Sequence, residues 1–364
     1  MPLRLLFTVA CLLLPCMTFA SPGEEIYLSA CAACHGVDGR GSPESLVGFK
    51  DPLPDFTDCD FASREPQADW VAVAHQGGPV RGFSHLMPAF GQAMSVGELE
   101  LAMSHISTFC RDDAWPRGDL NLPRALHTEK AFPEDEAVLT ATYTEGAFDA
   151  VEMKITYEQR FGPRSQFELV IPLGWHEGES LIDPGRTDWS SSVGDIAVGV
   201  KHAFWHDYRS GSILSVTGEV ILPTGDDEAG YGKGTAIFEP FLSYGQILPA
   251  NFFLHGQAGF ELPLDTDKAD RETFLRTAIG RTFTQGPWGR AWSPMIEILG
   301  ARDLESGAVT RWDVVPQFQV TLNTRQHVML AVGVRTPLDD STRDTRYVAY
   351  LLWDWFDGGL FDGW

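Results

Sequence analysis

One pattern limits the fold of most of this chain more than any other: beyond about residue 137, apolar and polar side chains alternate. Between residues 151 and 161 the odd positions are mainly apolar, whereas the even positions are Glu, Lys, Thr, Glu and Arg. The same alternation recurs at residues 167–175, 311–322, 327–335 and 347–355. A period of two residues is typical of β-strands whose two faces meet different surroundings. The pattern therefore predicts an all-β carboxyl-terminal region.

The strands and their connections resemble those of a membrane barrel. We count about twelve alternating segments of roughly 9–14 residues, a length that suits tilted membrane-spanning strands. Tight turns, such as those at residues 162, 208, 249, 286 and 323, interleave with longer acidic loops. We therefore predict an antiparallel transmembrane β-barrel of about 12 strands, because lipid leaves no backbone group unpaired and closure removes the sheet edges. A soluble β-sandwich also alternates, but it favours shorter strands.

Aromatic residues near strand ends support the same prediction, because transmembrane barrels carry aromatic girdles at both interfaces. They are Trp175, Phe204, Trp288, Trp292, Trp353 and Trp355, and the chain itself stops on Trp364.

The first twenty residues have the features of a secretory signal peptide. Arg4 supplies the positive start, residues 5–14 are apolar, and Ala20 ends a small-residue cleavage site. A lipoprotein signal at Cys16 is disfavoured, since Pro15 stands where a small residue is expected. We expect an exported protein that begins near Ser21.

Three further regions follow the signal. Residues 21–113 combine short helical patterns with glycine-rich loops, residues 114–136 form a proline-bearing connector, and residues 137–364 carry the alternation. The chain has 50 acidic and 27 basic residues. This excess of negative charge argues against nucleic acid as a partner, because phosphate binding needs a basic surface.

The helical region opens with C31-A-A-C-H35. This spacing is the attachment signature of a c-type haem, in which Cys31 and Cys34 add to the porphyrin vinyl groups and His35 reaches the iron. A redox-active dithiol would need a strand-then-helix context that is missing from the pattern. A zinc site would need a second C-x-x-C, which the sequence lacks.

A second motif, H85-L-M-P-A-F-G91, precedes an amphipathic helix that starts with a capping box of Ser95 and Glu98. This order resembles the small single-haem cytochrome c family, over about residues 23–110. The resemblance implies an all-α cytochrome c domain with one covalent haem c, His35 as the proximal ligand and Met87 as the distal ligand. Iron with His and Met on its two axial positions transfers electrons without binding substrate, so we expect an electron carrier and not an enzyme. The rival distal ligands are His75, His85, His105, Met94 and Met103, of which His85 is the strongest.

Two cysteines remain outside the signal and the haem motif. An oxidising compartment favours a disulfide between Cys59 and Cys110, and the alternative is a pair of buried free thiols.

A cytochrome followed by a barrel resembles the fused cytochrome–porin proteins of bacteria that exchange electrons with extracellular minerals or ferrous iron. The resemblance implies an outer-membrane protein with its haem domain in the periplasm. Its implied partners are periplasmic redox proteins, extracellular iron or small redox species, and outer-membrane lipid. About twelve strands leave a narrow lumen, so we expect the haem domain to cap the barrel and not to enter it.

Three functions fit this architecture: electron exchange across the membrane, solute uptake through a porin of the aromatic or small-molecule type, and anchoring of a periplasmic electron carrier. An acidic lumen could also favour cations such as ferrous iron, although solubility and divalent-ion bridging to lipid explain acidity equally well. The predicted inward polar residues are Glu152, Lys154, Glu158, Glu168, Lys201, Glu219, Glu239, Glu261, Glu297, Asp313 and Arg335.

Overall fold

A computed structural model describes residues 20–146, 148–179, 187–340 and 342–355. The predicted signal peptide, except for Ala20, and the terminal Trp364 lie outside these residues. No helix in the described ranges is long and apolar enough to cross a membrane.

The amino-terminal region is a small helical domain. Its α-helices are α1 (Pro22–Ala30), α2 (Ala32–His35), α3 (Glu44–Val47), α4 (Cys59–Ala62), α5 (Gln67–Gln76) and α6 (Val96–Ile106). Helices α1 and α6 both begin with a capping box, in which a serine and a glutamate exchange hydrogen bonds with the backbone of the first turn.

Helices α1 and α6 cross closely and enclose the core of this domain. A Cβ atom on Gly23 would stand 2.2 Å from the carbonyl oxygen of Leu101, so only glycine permits the crossing. Tyr27 of α1 is buried together with Leu99 and Ile106 of α6. A disulfide joins Cys59 to Cys110, and so connects the start of α4 to the chain that follows α6.

The remaining chain forms fourteen strands. The first seven are β1 (Glu136–Glu145), β2 (Ala150–Phe161), β3 (Ser165–Glu179), β4 (Thr187–Val193), β5 (Ala197–Asp207), β6 (Ser212–Ile221) and β7 (Ile237–Leu248). The others are β8 (Phe252–Pro263), β9 (Glu272–Arg281), β10 (Phe283–Thr284), β11 (Ala291–Asp303), β12 (Arg311–Thr321), β13 (Val328–Pro337) and β14 (Thr345–Asp354).

Twelve of these strands close into an antiparallel barrel. Each of the twelve pairs with its neighbours in chain order, and β9 pairs directly with β11. The two remaining strands are short additions: β4 pairs only with the carboxyl-terminal part of β3, and the two-residue β10 pairs only with β11. The ring closes where β1 pairs with β14, from Glu136 opposite Asp354 to Glu145 opposite Thr345. The predicted strand number and the predicted closure are confirmed.

The burial of side chains is reversed relative to a soluble protein. In β5, Val200 is 52% exposed on the outside, whereas the next residue, Lys201, is 2% exposed on the inside. In β11, Ile296 is 51% exposed and Glu297 is completely buried. An apolar exterior around a polar interior is the arrangement of a transmembrane barrel, and the sandwich alternative is wrong.

The two ends of the barrel differ. At one end, which we call the short-turn end, strands are joined by residues 162–164, 208–211, 249–251, 285–290 and 322–327, and β1 starts there. At the other end, the connections that follow β6, β8, β11 and β13 are longer, whereas β1 and β2 are joined by residues 146–149. Trp288, predicted to face lipid, instead packs at the short-turn end against the core of the helical domain. Of the predicted inward polar residues, six are buried: Glu158, Glu168, Lys201, Glu239, Glu297 and Asp313.

Candidate haem centre and barrel lumen

Helix α2 and the turn behind it hold the C-x-x-C-H motif. Cys31 ends α1 and begins α2, so that both thiols and His35 lie within about one helical turn. Gly36 then takes a positive φ of 75°, which reverses the chain. The returning loop is fixed by two backbone hydrogen bonds, from Gly41 N to the His35 carbonyl oxygen at 2.8 Å and from Ser42 N to the Cys34 carbonyl oxygen at 2.7 Å.

Two aromatic residues that the sequence analysis did not identify support this motif. The Tyr27 hydroxyl donates a hydrogen bond to the Gly36 carbonyl oxygen at 2.5 Å, directly behind His35. The Phe56 ring stacks on the His35 ring with centroids 5.0 Å apart. Tyr27 precedes Cys31 by four residues, one helical turn along α1, and this spacing was the available signal.

A cavity of about 530 Å³, which we call the haem crevice, contains the predicted cofactor residues. Cys31, Cys34, His35 and Met87 all line it. The methionine loop is held by a hydrogen bond from Gly78 N to the Met87 carbonyl oxygen at 3.1 Å. Most of the other lining side chains are apolar: Ile26, Leu53, Phe56, Phe61, Trp70, Val73, Phe83, Phe90, Met94, Leu99, Met103 and Ile106.

The rival distal ligands differ in position. His85 is exposed, and it does not line the crevice; His75 and His105 do not line it either. Met94 and Met103 do line the crevice, and Met103 is part of the apolar core. Among the histidines of the helical domain, only His35 lies in the crevice wall.

The chemistry of these groups fits a covalent haem. Among the described residues, the buried Nδ1 atom of His35 has no hydrogen-bond partner, and burial lowers the pKa of its imidazole, which favours the neutral form that binds iron. Burial and the neighbouring Cys34 raise the pKa of the Cys31 thiol to about 11. A redox dithiol needs a thiol with a lowered pKa, so the dithiol alternative does not fit. A bound haem would supply a one-electron couple here.

The connector between the two domains lies inside the barrel. We call residues 117–135 the lumen segment: the chain enters from the short-turn end, reaches the middle of the barrel near residues 127–129, and returns to start β1. From the sequence this region was expected to be a connector between the two domains, and its enclosure in the barrel was not predicted.

Ion pairs hold both arms of the lumen segment. Arg124 lies 2.5 Å from Glu136 of β1 and 3.1 Å from Glu158 of β2, measured from Nη1 to a carboxylate oxygen. Lys130 pairs with Glu134, and its Nζ atom lies 3.3 Å from Glu136. All these carboxylates are buried, so each cation offsets the cost of enclosing a negative charge.

The tip of the lumen segment is held at mid-height. Glu297 of β11 accepts hydrogen bonds from the backbone nitrogens of His127 and Thr128 at 3.1 and 3.2 Å. The Glu129 carboxylate lies 3.4 Å from Lys201 of β5. The tip is therefore bonded to opposite parts of the barrel wall, through its backbone to Glu297 and through the Glu129 side chain to Lys201.

Apolar contacts fill the space that remains. Leu126 packs with Ala331 and Tyr350, and a Cβ atom on Gly333 would stand 2.5 Å from its Cδ1 atom. Two more clusters join segment and wall: Leu120, Ala131 and Phe132 with Ala203 and Ile213, and Leu122 and Ala125 with Phe253, Ala278 and Met295. The half of the lumen next to the short turns is thus occupied by the chain itself.

The helical domain covers this same end of the barrel. Arg64 Nη1 lies 2.7 Å from Asp135 at the base of β1, and Arg81 Nη1 donates to the Trp288 carbonyl oxygen at 2.9 Å. The Trp288 ring lies 5.2 Å from the His75 ring. As expected from the lumen size, the domain caps the barrel and does not enter it.

Comparison with known proteins identifies both parts. The family described as "Putative MetA-pathway of phenol degradation" matches residues 135–326, more than half of the chain. The chain belongs to this family. Residues 19–106 match a second description, "Cytochrome C oxidase, cbb3-type, subunit III". This member of the MetA-pathway family therefore joins a cytochrome c domain to an outer-membrane channel β-barrel, and the cytochrome c domain implies covalent haem c.

No curated protein matches this MetA-pathway family member. Among solved structures, the chain is similar to the NanC porin, at 7% identity and a TM-score of 0.43 over 60% of this chain and 100% of the porin. It is also similar to an outer membrane channel from Pseudomonas putida F1, at 12% identity and a TM-score of 0.45 over 64% of this chain and 100% of the channel. These likenesses are low, and the barrel assignment follows from the strand pairing above.

Proposed function

We propose that this protein is an electron carrier, with a single haem domain held at the periplasmic mouth of an outer-membrane barrel. The observation that carries the proposal is that His35 and Met87 line the same apolar crevice as Cys31 and Cys34. Axial ligands on both faces would leave the iron no open position, so the site suits electron transfer and not substrate binding. The partners we propose are periplasmic redox proteins.

The positions of the short turns support a periplasmic placement of the haem domain. In outer-membrane barrels the short turns face the periplasm and the long loops face outward. The cytochrome domain contacts the short-turn residues Trp288 and Arg325. We therefore place the haem domain in the periplasm, the compartment to which the predicted signal peptide would export it.

The lumen segment bears on the route that electrons take. Residues 117–135 occupy the periplasmic half of the barrel and therefore obstruct the path of a small external donor, such as ferrous iron, through the lumen to the crevice. The acidic lumen residues Glu136 and Glu158 are paired with Arg124 and Lys130, which weakens the argument that the lumen gathers cations. The geometry supports best a barrel that anchors the carrier, and exchange with external iron or another small redox species would require the segment to move.

A second candidate function rests on the family match. The description of the family refers to phenol degradation. We therefore keep a channel for small aromatic solutes as the alternative, in which the lumen segment is the closed state and the cytochrome domain is an attached redox module.

One reconstitution experiment separates these functions. Haem-loaded protein is placed in liposomes that enclose an oxidised dye, and a reductant that cannot cross lipid is added outside. The proposal expects outward-facing haem to be reduced at once, while the dye stays oxidised and the vesicles do not swell in a small aromatic solute. Reduction of the dye would support electron transfer across the membrane instead, and swelling would support the channel. A mature protein without covalent haem would refute the proposal itself.

A further inference from the structure

The wall of the haem crevice is not made by the cytochrome domain alone. Arg325 and His327 line the crevice, and both belong to the barrel turn that joins β12 to β13. They lie more than two hundred residues along the chain from the C-x-x-C-H motif. The barrel thus completes a cavity whose other walls belong to the helical domain.

Specific contacts seat this turn against the cytochrome domain. Arg325 Nη2 donates to the Gly82 carbonyl oxygen at 3.2 Å, and its guanidinium lies 4.9 Å from the centroid of the Phe83 ring. His327 Nε2 lies 3.1 Å from a carboxylate oxygen of Glu65, and its Nδ1 lies 3.3 Å from Asp354 of β14. Arg325 therefore contacts the cytochrome domain directly, and His327 joins the cytochrome domain to β14.

Two arginines line the crevice, Arg81 of the cytochrome domain and Arg325 of the barrel turn. The cytochrome domain contributes one cation to the wall, Arg81, and that guanidinium is committed to Asp69, 2.6 Å away, and to the Trp288 carbonyl oxygen. The same domain contributes the carboxylates Asp51, Glu65 and Asp69. A haem carries two propionate carboxylates, and a carboxylate at the edge of an apolar cavity needs a cationic or hydrogen-bonding partner. A guanidinium is well suited because its planar fork serves several acceptors at once.

We propose that Arg325 of the β12–β13 turn is a binding residue for a haem propionate, so that the barrel and the cytochrome domain share one haem site. This inference rests on the proposed haem-carrying function. A cation held beside the propionates favours the reduced haem, which carries one positive charge fewer than the oxidised haem. Reduction here means that iron(III) takes one electron from an electrode and becomes iron(II).

The test measures the haem reduction potential of the full-length, haem-loaded protein in detergent by spectroelectrochemical titration. For Arg325→Gln we expect the ratio of reduced to oxidised haem at a fixed potential to fall about tenfold, which is about 59 mV for a one-electron couple. Arg325→Lys, which keeps the charge, should retain most of the wild-type potential. The difference between wild type and Arg325→Gln should shrink as salt is raised, because screening shortens the reach of the charge.

Arg209→Gln is the matched control, since Arg209 is exposed in another short turn at the same end of the barrel. It should leave the potential unchanged. An unchanged potential in Arg325→Gln, with the haem spectrum intact and the barrel still heat-modifiable on a gel, would overturn the inference, as would an equal shift in Arg209→Gln. The electrode reports the potential whether or not electrons reach a partner, so this outcome is distinct from failure in the liposome experiment.

Discussion

Replacing Arg124 by leucine should release the lumen segment. Its guanidinium faces two buried carboxylates, those of Glu136 and Glu158, and Lys130 still faces Glu136 after the change. The main effect is therefore on Glu158, whose buried carboxylate loses its nearest cation. Breaking a buried ion pair by deleting one partner costs about 3–5 kcal/mol. Water solvates Glu158 once the segment leaves, so this cost is lost in the open state. The population with an open lumen should therefore rise by roughly 10²-fold to roughly 4 × 10³-fold, at about 1.4 kcal/mol per factor of ten.

The assay uses a thiol placed at the tip of the segment. Thr128 is buried at mid-height of the barrel. The thiol of Thr128→Cys would be free to react when the segment leaves, whereas Cys31 and Cys34 hold haem and Cys59 and Cys110 form a disulfide. The rate at which a water-soluble maleimide labels this thiol in detergent measures the open population. Arg124→Leu should raise that rate about a hundredfold or more, and planar-bilayer conductance should rise with it.

Two further variants control this experiment. Arg281→Leu removes an arginine that bonds to the Ala250 carbonyl oxygen at a short turn, away from the lumen, and should leave labelling unchanged. Adding Glu158→Gln to Arg124→Leu removes the unpaired charge, and most of the slow labelling should return, as expected for coupled residues. If Arg124→Leu folds, keeps its haem and labels at the wild-type rate, the ion pairs do not hold the segment and the reasoning is wrong.

Three shorter predictions concern the cytochrome domain. Replacing Cys59 and Cys110 by alanine removes a disulfide between cysteines 51 residues apart, which should lower the free energy of unfolding by about 4 kcal/mol through loop-closure entropy. A urea titration followed by haem absorbance measures this loss, and an unchanged midpoint would contradict the prediction. Met87→Ala should abolish the weak iron–thioether band at the red end of the visible spectrum and lower the reduction potential while covalent haem remains, whereas Met94→Ala should keep the band. Burial raises the pKa of Tyr27 to about 12. Between pH 10 and pH 12 the tyrosine of the unfolded chain therefore loses its proton before that of the folded protein, and the free energy of unfolding falls. Tyr27→Phe should flatten this fall, as measured by urea midpoints at several pH values.

The barrel was predictable from sequence because lipid imposes a strict rule on each strand. Residues such as Val200 and Ile296 must face hydrocarbon, while Lys201 and Glu297 must face inward, so alternation and strand number can be read directly. The haem motif was predictable for a different reason: Cys31, Cys34 and His35 lie within one turn, and their chemistry is local.

The lumen segment and the shared haem site could not be predicted in this way. Leu126 and Glu129 show no helical or strand period, and their positions are fixed by Gln317, Gly333 and Lys201, which lie far away in sequence. Arg325 sits in a tight turn of the kind that every barrel hairpin carries. One feature of the sequence did indicate burial: the connector contains large apolar residues as well as several charged ones, and exposed linkers are poor in large apolar residues.

The return path of the lumen segment has a consequence for assembly. The chain enters and leaves through the same end of the barrel. Its partners are side chains of the wall, except at Asp135, which also accepts hydrogen bonds from the backbone nitrogens of Arg160 and Trp355. Withdrawal of the lumen segment would therefore break no strand pairing, and the barrel could close before the segment enters it. The folded cytochrome domain is joined to one end of the segment by the ion pair between Arg64 and Asp135, and this contact would then fix how deeply the segment lies in the barrel.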